Sequence, residues 1–253
     1  MKMHVLSGGR VRMKKHIYVP DSARDETLDL PVHCFLIRHS QGNVLFDTGC
    51  HPSVAEDAEA RWGALAKVMV PVMGAEDNVV DELATVGLGA DDIDVVVNSH
   101  FHTDHCGCNE FFTNATMIVH TEELKKARDP ESEGQGYYGA DWDQANEFDT
   151  LDAQRDLFGD ERIVLLPLPG HSPGLTGALV NLEISGSFLL TSDAAALEKN
   201  LNPDVMPKNM WDVDQSIKSL AEIRKIQSQG ATVIFGHDVD QWAGLKKGAD
   251  AYD

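Results

Sequence analysis

Between Ser99 and Gly107 the chain reads Ser-His-Phe-His-Thr-Asp-His-Cys-Gly, with His100, His102, Asp104 and His105 inside one short stretch. Neutral imidazole is the commonest metal ligand, and carboxylate oxygens often accompany it. His100 and His102 are two apart, so in extended chain they project to one side. Asp104 and His105 are adjacent and project differently. This pattern suits two ligand sets around two neighbouring metal ions better than one set. The cluster directly follows the apolar run at 93–97, which reads as a buried strand.

Three more candidate ligands each follow an apolar run that reads as a strand: His171 after 163–168, Asp193 after 187–191, and His237 after 232–235. A lone histidine is usually structural. Several strand ends delivering the same chemistry suit a site held on a rigid scaffold. Together His100, His102, His105, His171, His237, Asp104 and Asp193 suffice for two ions with one carboxylate shared. Nitrogen and oxygen donors without an obligatory thiolate favour zinc, with manganese, iron or cobalt also fitting. Cys106 and Cys108 flank Gly107 beside the cluster and read as small residues packed beneath it.

The elements that must position these residues follow from periodicity and turn chemistry. Segment 3–19 reads as two short strands around Gly8-Gly9, and 20–31 as a polar connection. Runs 32–37 and 44–46 form a hairpin across Ser40-Gln41-Gly42-Asn43. Ala58, Trp62, Leu65 and Met69 step at helical spacing, and Pro71 stops that helix. A short helix over 78–86 starts at Asn78 and ends at Gly87. A strand at 116–120 and a helix at 122–127 come next. Segment 129–150, with Tyr137, Tyr138 and Trp142 among glycines, reads as a lid or binding loop. A hairpin spans 175–191, and a helix over 213–229 buries Ile217, Leu220, Ile223 and Ile226. No fixed repeat and no linker interrupts this order. It predicts one α/β domain over residues 1–253, with two sheets packed face to face and helices outside.

Composition narrows the partners. The chain has 253 residues, 42% of them hydrophobic, enough for a sizeable core. Its 41 acidic and 21 basic residues give a formal charge of -20, which argues against nucleic acid and anionic membrane as partners. The four cysteines show no disulfide framework, the start has no apolar signal core, and no run reaches membrane-spanning length. A reducing cytoplasm is the expectation.

The motif His100-Phe101-His102-Thr103-Asp104-His105 resembles the H-x-H-x-D-H signature of the metallo-β-lactamase superfamily. The likeness extends in order through Asp47-Thr48-Gly49, Gly170-His171-Ser172, Asp193 and Gly236-His237-Asp238. Within that superfamily the chain is most similar to N-acyl homoserine lactone lactonases and the related pyridoxolactonases. The resemblance implies a four-layer αβ/βα sandwich with two mixed sheets. It also implies that His100, His102 and His171 hold one ion, that Asp104, His105 and His237 hold the other, and that Asp193 bridges them. Asp47 would orient ligands. Asp104 and Asp193 would take part in the reaction: opening of a lactone ring by a hydroxide bridging the metals. Lactonases of this group usually carry a tyrosine three positions after the bridging aspartate, where this chain has Ala196. Tyr137, Tyr138, Trp142 and His51 are the replacement donors considered. Tyr137, Tyr138, Trp62 and Met69 are the candidate substrate-binding residues, although Trp62 and Met69 also suit a core or a dimer interface.

Other readings are weighed beside this one. Another ester, thioester or organophosphate hydrolase of the same fold would use the same ligands. Only 16 residues follow His237, against the longer glutathione-gripping tail usual in glyoxalase II. A non-catalytic metal-binding protein is the reading from a different class; structural metal sites are usually closed and tetrahedral, unlike a paired, open one. The expected partner is a small lactone or ester, and a homodimer is compatible with the sequence without being called for by it.

Overall fold

The computed structural model describes residues 1–144 and 147–253. Its first sheet uses β1 (Lys2–Lys14), β2 (Thr27–His39), β3 (Gly42–Phe46), β4 (Val70–Pro71), β5 (Val95–Val97), β6 (Thr116–His120) and β7 (Phe148–Leu151), in the order β4-β1-β2-β3-β5-β6-β7. The second uses β8 (Arg155–Asp156), β9 (Ile163–Pro167), β10 (Thr176–Leu182), β11 (Gly186–Leu190) and β12 (Thr232–Ile234), in the order β12-β11-β10-β9-β8. Both are mixed: β3, β5, β6 and β7 run parallel, as do β11 and β12, and the other pairs are antiparallel. Each sheet is thus drawn from its own continuous portion of the chain.

Alternation along β2 shows how the layers form. Phe35 and Ile37 face the second sheet and pack in one cluster with Leu165, Val180 and Leu190. Cys34 and Leu36 face the other way, toward α3 (Val79–Thr85), in a cluster with Val79 and Leu83. With both faces covered, β2 reads as a nearly unbroken apolar run. On the far side of the second sheet, α7 (Val213–Ser228) lays Leu220, Ile223 and Ile226 on Leu189 and Val233. Burying each such side chain contributes about 1.5–3 kcal/mol. The layers are therefore helix, sheet, sheet, helix.

Several expectations change on folding. Segment 3–19 is one strand rather than two. Its pairing with β2 continues on both sides of a bulge between Ser7 and Arg10, followed by the helical turn α1 (Lys15–Tyr18). Thr27–Pro31 belongs to β2, because β1 extends far enough to pair with it. The helical stripe from Ala58 breaks at Gly63, leaving α2 (Val54–Trp62) and a 3-10 turn. Ile217 is 40% exposed; Ser216 and Ser219 occupy the buried face of α7 instead. Segment 129–150, of which 145–146 lie outside the described residues, lines the site cavities through Ser132, Gln135, Gly136 and Tyr137, but its aromatic residues Tyr137, Tyr138 and Trp142 are buried rather than displayed on a loop, and its end is β7.

Two glycines bring the strand ends together. The backbones of Gly8 in β1 and Gly49 in the loop after β3 pass so closely that a Cβ on Gly49 would lie 2.4 Å from the Gly8 Cα. The Cys50 amide donates to the Gly8 carbonyl there, at 2.8 Å. Gly49 also has φ +72, a backbone conformation that suits glycine.

His33 in β2 is buried and stacked on Trp242 of α8 (Val239–Gly244), ring centroids 4.8 Å apart. Burial, reinforced by His237, pushes its pKa down from 6.5 to about 3. Because the folded value is depressed, the unfolded chain binds more protons between those limits, and stability falls as pH falls through that window. At pH 5 this group alone removes about 2 kcal/mol relative to neutral pH. His33→Phe keeps the stack and removes the titration. Urea midpoints should show the variant gaining on the wild type as pH drops from 7 to 5; a pH-independent gap would refute the idea.

Candidate metal centre

All seven candidate ligands lie beyond the carboxyl ends of strands: His100 to His105 after β5, His171 after β9, Asp193 after β11 and His237 after β12. The segment 99–102 carries no regular structure, with His102 itself extended, and α4 (Thr103–Cys106) follows as a single helical turn. This change of conformation aims the two halves of the cluster differently.

One set is His100, His102 and His171. The His102 Nδ1 lies 3.1 Å from the His100 Nε2 and 2.9 Å from the His171 Nε2. A second set is Asp104, His105 and His237. Asp193 lies between them: its Oδ2 is 3.3 Å from the His171 Nε2, and its Oδ1 is 3.3 Å from the His105 Nε2 and 2.9 Å from the His237 Nε2.

Electrostatics separates the sets. Burial, then the neighbouring imidazoles, holds His100 far below the usual histidine range. Burial likewise brings His102 and His171 down to about 4, against the pull of Asp193. These rings are neutral at pH 7, the form that offers a lone pair. Burial alone would also depress His105 and His237, but the carboxylates of Asp104 and Asp193 outweigh it and raise both. Against its own burial penalty, Asp193 is held far below the usual carboxylate range by His237, His171 and His105.

The outer nitrogens of His100, His105 and His237 are tied back, whereas the Nδ1 of His171 is buried without a partner among the described residues. The Ser99 hydroxyl has one proton, which it donates to the Asp47 Oδ2 at 2.7 Å; it accepts from the His100 Nδ1 at 2.9 Å. The His105 Nδ1 donates to the Asp47 Oδ2 at 2.9 Å, and the His237 Nδ1 to the Pro31 carbonyl at 2.8 Å. Each fixes a tautomer with Nε2 directed inward. Asp47 itself sits at φ +61, held by the Ser99 amide on its Oδ1 at 2.7 Å. The loop bearing His171 is seated on α7, where the Ser219 hydroxyl donates to the Pro169 carbonyl and Gly170 touches Ser216.

Around Asp193 the inward atoms crowd without the alignment of a hydrogen bond: the Nε2 atoms of His105 and His237 and the Oδ1 of Asp193 are buried and none is satisfied among the described residues, although they lie 2.9 to 3.3 Å apart. Leaving such groups unpaired is costly. Three imidazole nitrogens facing one another also need a proton or cation between their lone pairs. The donor set therefore fits metal ions on its own chemistry. The nearby thiols do not compete: Cys106 and Cys108 are buried, their pKa values pushed up by burial, with Sγ atoms turned to backbone carbonyls.

A cavity of about 160 Å³ opens over this cluster, lined by Tyr18, Met69, His102, Asp104, His171 and Asp193. A second, of about 320 Å³, shares His102 and His171 with it and adds Lys126, Tyr137 and Trp211. Of the candidate substrate-binding residues, Met69 and Tyr137 reach these walls. Trp62 and Tyr138 do not. Trp62 is fully buried, and the Tyr138 hydroxyl donates to the Trp62 carbonyl, so the pair pins α2 to the segment before α6 (Gly139–Trp142).

Sequence reasoning missed Glu123, in α5 (Thr121–Ala127). Its side chain is fully buried, yet each oxygen accepts two hydrogen bonds. The Phe101 amide and Tyr137 hydroxyl reach Oε1 at 3.0 and 2.9 Å; the Ser172 hydroxyl and Gly174 amide reach Oε2 at 2.7 and 3.0 Å. One carboxylate thereby joins the loop of His100 and His102 to that of His171. Nothing local distinguishes Glu123 from its neighbour Glu122; only its position on the inward face of α5 does.

Comparison with known proteins gives a consistent family. The model of the metallo-beta-lactamase superfamily matches residues 27–237. The N-acyl homoserine lactonase AttM of Azorhizobium caulinodans is 32% identical, covering 100% of this chain and 99% of its own. The N-acyl homoserine lactonase of Bacillus cereus is 29% identical over 97% and 96%. Among solved structures, an N-acyl homoserine lactone hydrolase with N-hexanoyl-L-homoserine bound at its catalytic metal centre is similar at TM-score 0.90 and 27% identity, over 99% and 98% of the two chains.

Glu123→Gln keeps the volume but sets an amide donor against two existing donors. Denaturant melts should show a loss of about 2–4 kcal/mol. Chelator competition should show metal held about 10- to 100-fold more weakly. Unchanged metal affinity would uncouple Glu123 from the site.

Proposed function

This chain belongs to the metallo-β-lactamase superfamily, and on that footing we propose that it is a metal-dependent hydrolase that opens the ring of N-acyl homoserine lactones. The observation that carries the reading is Asp193, whose two oxygens are divided between two histidine-rich sets at the floor of an open cavity. His100, His102 and His171 would hold one divalent ion and Asp104, His105 and His237 the other, with Asp193 shared. The all-nitrogen-and-oxygen donor set supports zinc. Bound there, such ions bring the pKa of water toward neutrality and polarise a carbonyl oxygen.

The chain's own residues do the rest. Asp47 and Ser99 hold the rings of His105 and His100 in one tautomer with Nε2 inward. Leu65 and Met69 give the cavity an apolar wall suited to an acyl chain. In the overall reaction the oxygen of water adds to the ring carbonyl carbon, the ring C–O bond breaks, and the leaving alkoxide takes a proton. Asp104, whose side chain is 11% exposed at the cavity, would pass that proton. The product is an N-acyl homoserine, released as an anion. The charge of -20 supports a small-molecule partner over nucleic acid or an anionic membrane. No helix among the described residues is long and apolar enough to cross a membrane.

The test pairs metal stoichiometry with turnover. Two divalent ions per chain and hydrolysis of N-hexanoyl homoserine lactone are expected. Two ions with turnover of aryl esters or organophosphates alone would overturn the lactone assignment. Asp193→Asn should bring metal content toward one ion per chain and lower kcat at least about 100-fold; wild-type metal content and rate would remove Asp193 from its shared position.

A further inference from the structure

Ala196, three positions after Asp193, is buried and carries no donor. It packs in one apolar cluster with Tyr18, Met69 and Leu197. Tyr18 ends the helical turn α1, far away in sequence, and its ring reaches the wall of the 160 Å³ cavity together with Asp104 and Asp193.

The other donors considered from the sequence are engaged or remote. The Tyr137 hydroxyl donates to Glu123, and the Tyr138 hydroxyl to the Trp62 carbonyl. Trp142 is buried beside Phe101, away from the cavity. His51 is bonded to Ser53 and Glu110 and stacked on Phe111. Tyr18 differs from all of these. Among the described residues its hydroxyl donates only to the Met13 thioether sulfur, at 3.2 Å, and sulfur is a weak acceptor. Exchanging it for a carbonyl oxygen costs little.

The backbone that carries the ring is also held in place, and the ring packs in the apolar cluster of Met69, Ala196 and Leu197. The Asn200 side-chain amide donates to the Tyr18 carbonyl at 2.9 Å, and the Lys208 amide to the Ile17 carbonyl at 2.7 Å. A donor preorganised in this way loses little freedom on engaging substrate. Burial, then the charges of Asp193 and Asp104, raises the phenol's pKa and keeps it in the protonated form that donates.

We propose that the Tyr18 hydroxyl donates a hydrogen bond to the carbonyl oxygen of the lactone, supplying from α1 the donor that Ala196 lacks. This role rests on the lactonase reading above. Tyr18 is then a catalytic residue: its bond strengthens as negative charge gathers on that oxygen, and it persists to a carboxylate oxygen of the ring-opened product.

The test uses metal-loaded enzyme and the conservative variant Tyr18→Phe, which keeps the ring and its packing. Metal content and thermal midpoint should match the wild type. With N-hexanoyl homoserine lactone, kcat should fall about 10- to 100-fold with KM little changed. By calorimetry, N-hexanoyl-L-homoserine should bind about tenfold more weakly. Wild-type enzyme that hydrolyses the lactone beside a variant with undiminished kcat and product affinity would overturn the role of Tyr18 and leave the lactonase reading intact. A fall in kcat explained by lost metal would also overturn it. Wild-type enzyme with two ions and no lactone turnover would overturn both.

Discussion

Lone pairs crowded into a buried space are the constraint on which this structure turns. Histidine nitrogens and carboxylate oxygens converge with water largely excluded, and several have no partner of their own. Left to itself such a cluster would relax, by ring rotation or by proton uptake. The protein prevents the first from outside. Asp47, Ser99 and the Pro31 carbonyl each take the outer nitrogen of a ring, so the inner one has nowhere else to point. Those partners are themselves anchored: Asp47 by the Ser99 amide, and its loop by the contact of Gly49 with Gly8. Rigidity is transmitted inward from the sheets, which suits a site that must hold charge without rearranging.

The face-to-face packing of the sheets serves the same end. It places the carboxyl ends of β3, β5, β9, β11 and β12 along one edge, where short loops suffice to bring ligands together. Glu123 adds a second level of restraint, because a single buried carboxylate collects donors from two different ligand loops. A buried charge is costly unless fully hydrogen-bonded. Its four partners meet that condition, so the carboxylate acts as a fastener between the loops.

What could be read from the sequence was what is locally encoded. The ligand-bearing residues announce themselves by type, and their strands by apolar runs. Asn78 caps α3 as its side chain suggests, and of the two aspartates that could start α7, Asp212 and Asp214, it is Asp212 that caps it. The β2–β3 hairpin falls at its polar turn. Partner-dependent features were hidden. Gly8-Gly9 looks like a break, but pairing with β2 carries β1 through it. Tyr137 and Tyr138 look like loop aromatics, yet Glu123 and the Trp62 carbonyl, remote in sequence, take their hydroxyls inside. On α7, serines are buried in place of Ile217 because the His171 loop lies against the helix and needs small, polar neighbours. Tyr18 had no signal at all, since its turn reaches the cavity only after β1 has folded.

The division of the sheets along the chain bears on how the molecule assembles. The first sheet is made from residues 2–151 and the second from residues 155–234. His100 and His102 come from the first portion and His171 from the second; Asp104 and His105 come from the first and His237 from the second. Neither ligand set exists within one half of the polypeptide. As the chain is synthesised, its amino-terminal sheet can pair while both sets are still incomplete, and high-affinity metal capture has to wait until the second sheet docks. An ion gained at that stage would cross-link the halves, coupling the last step of folding to metal supply.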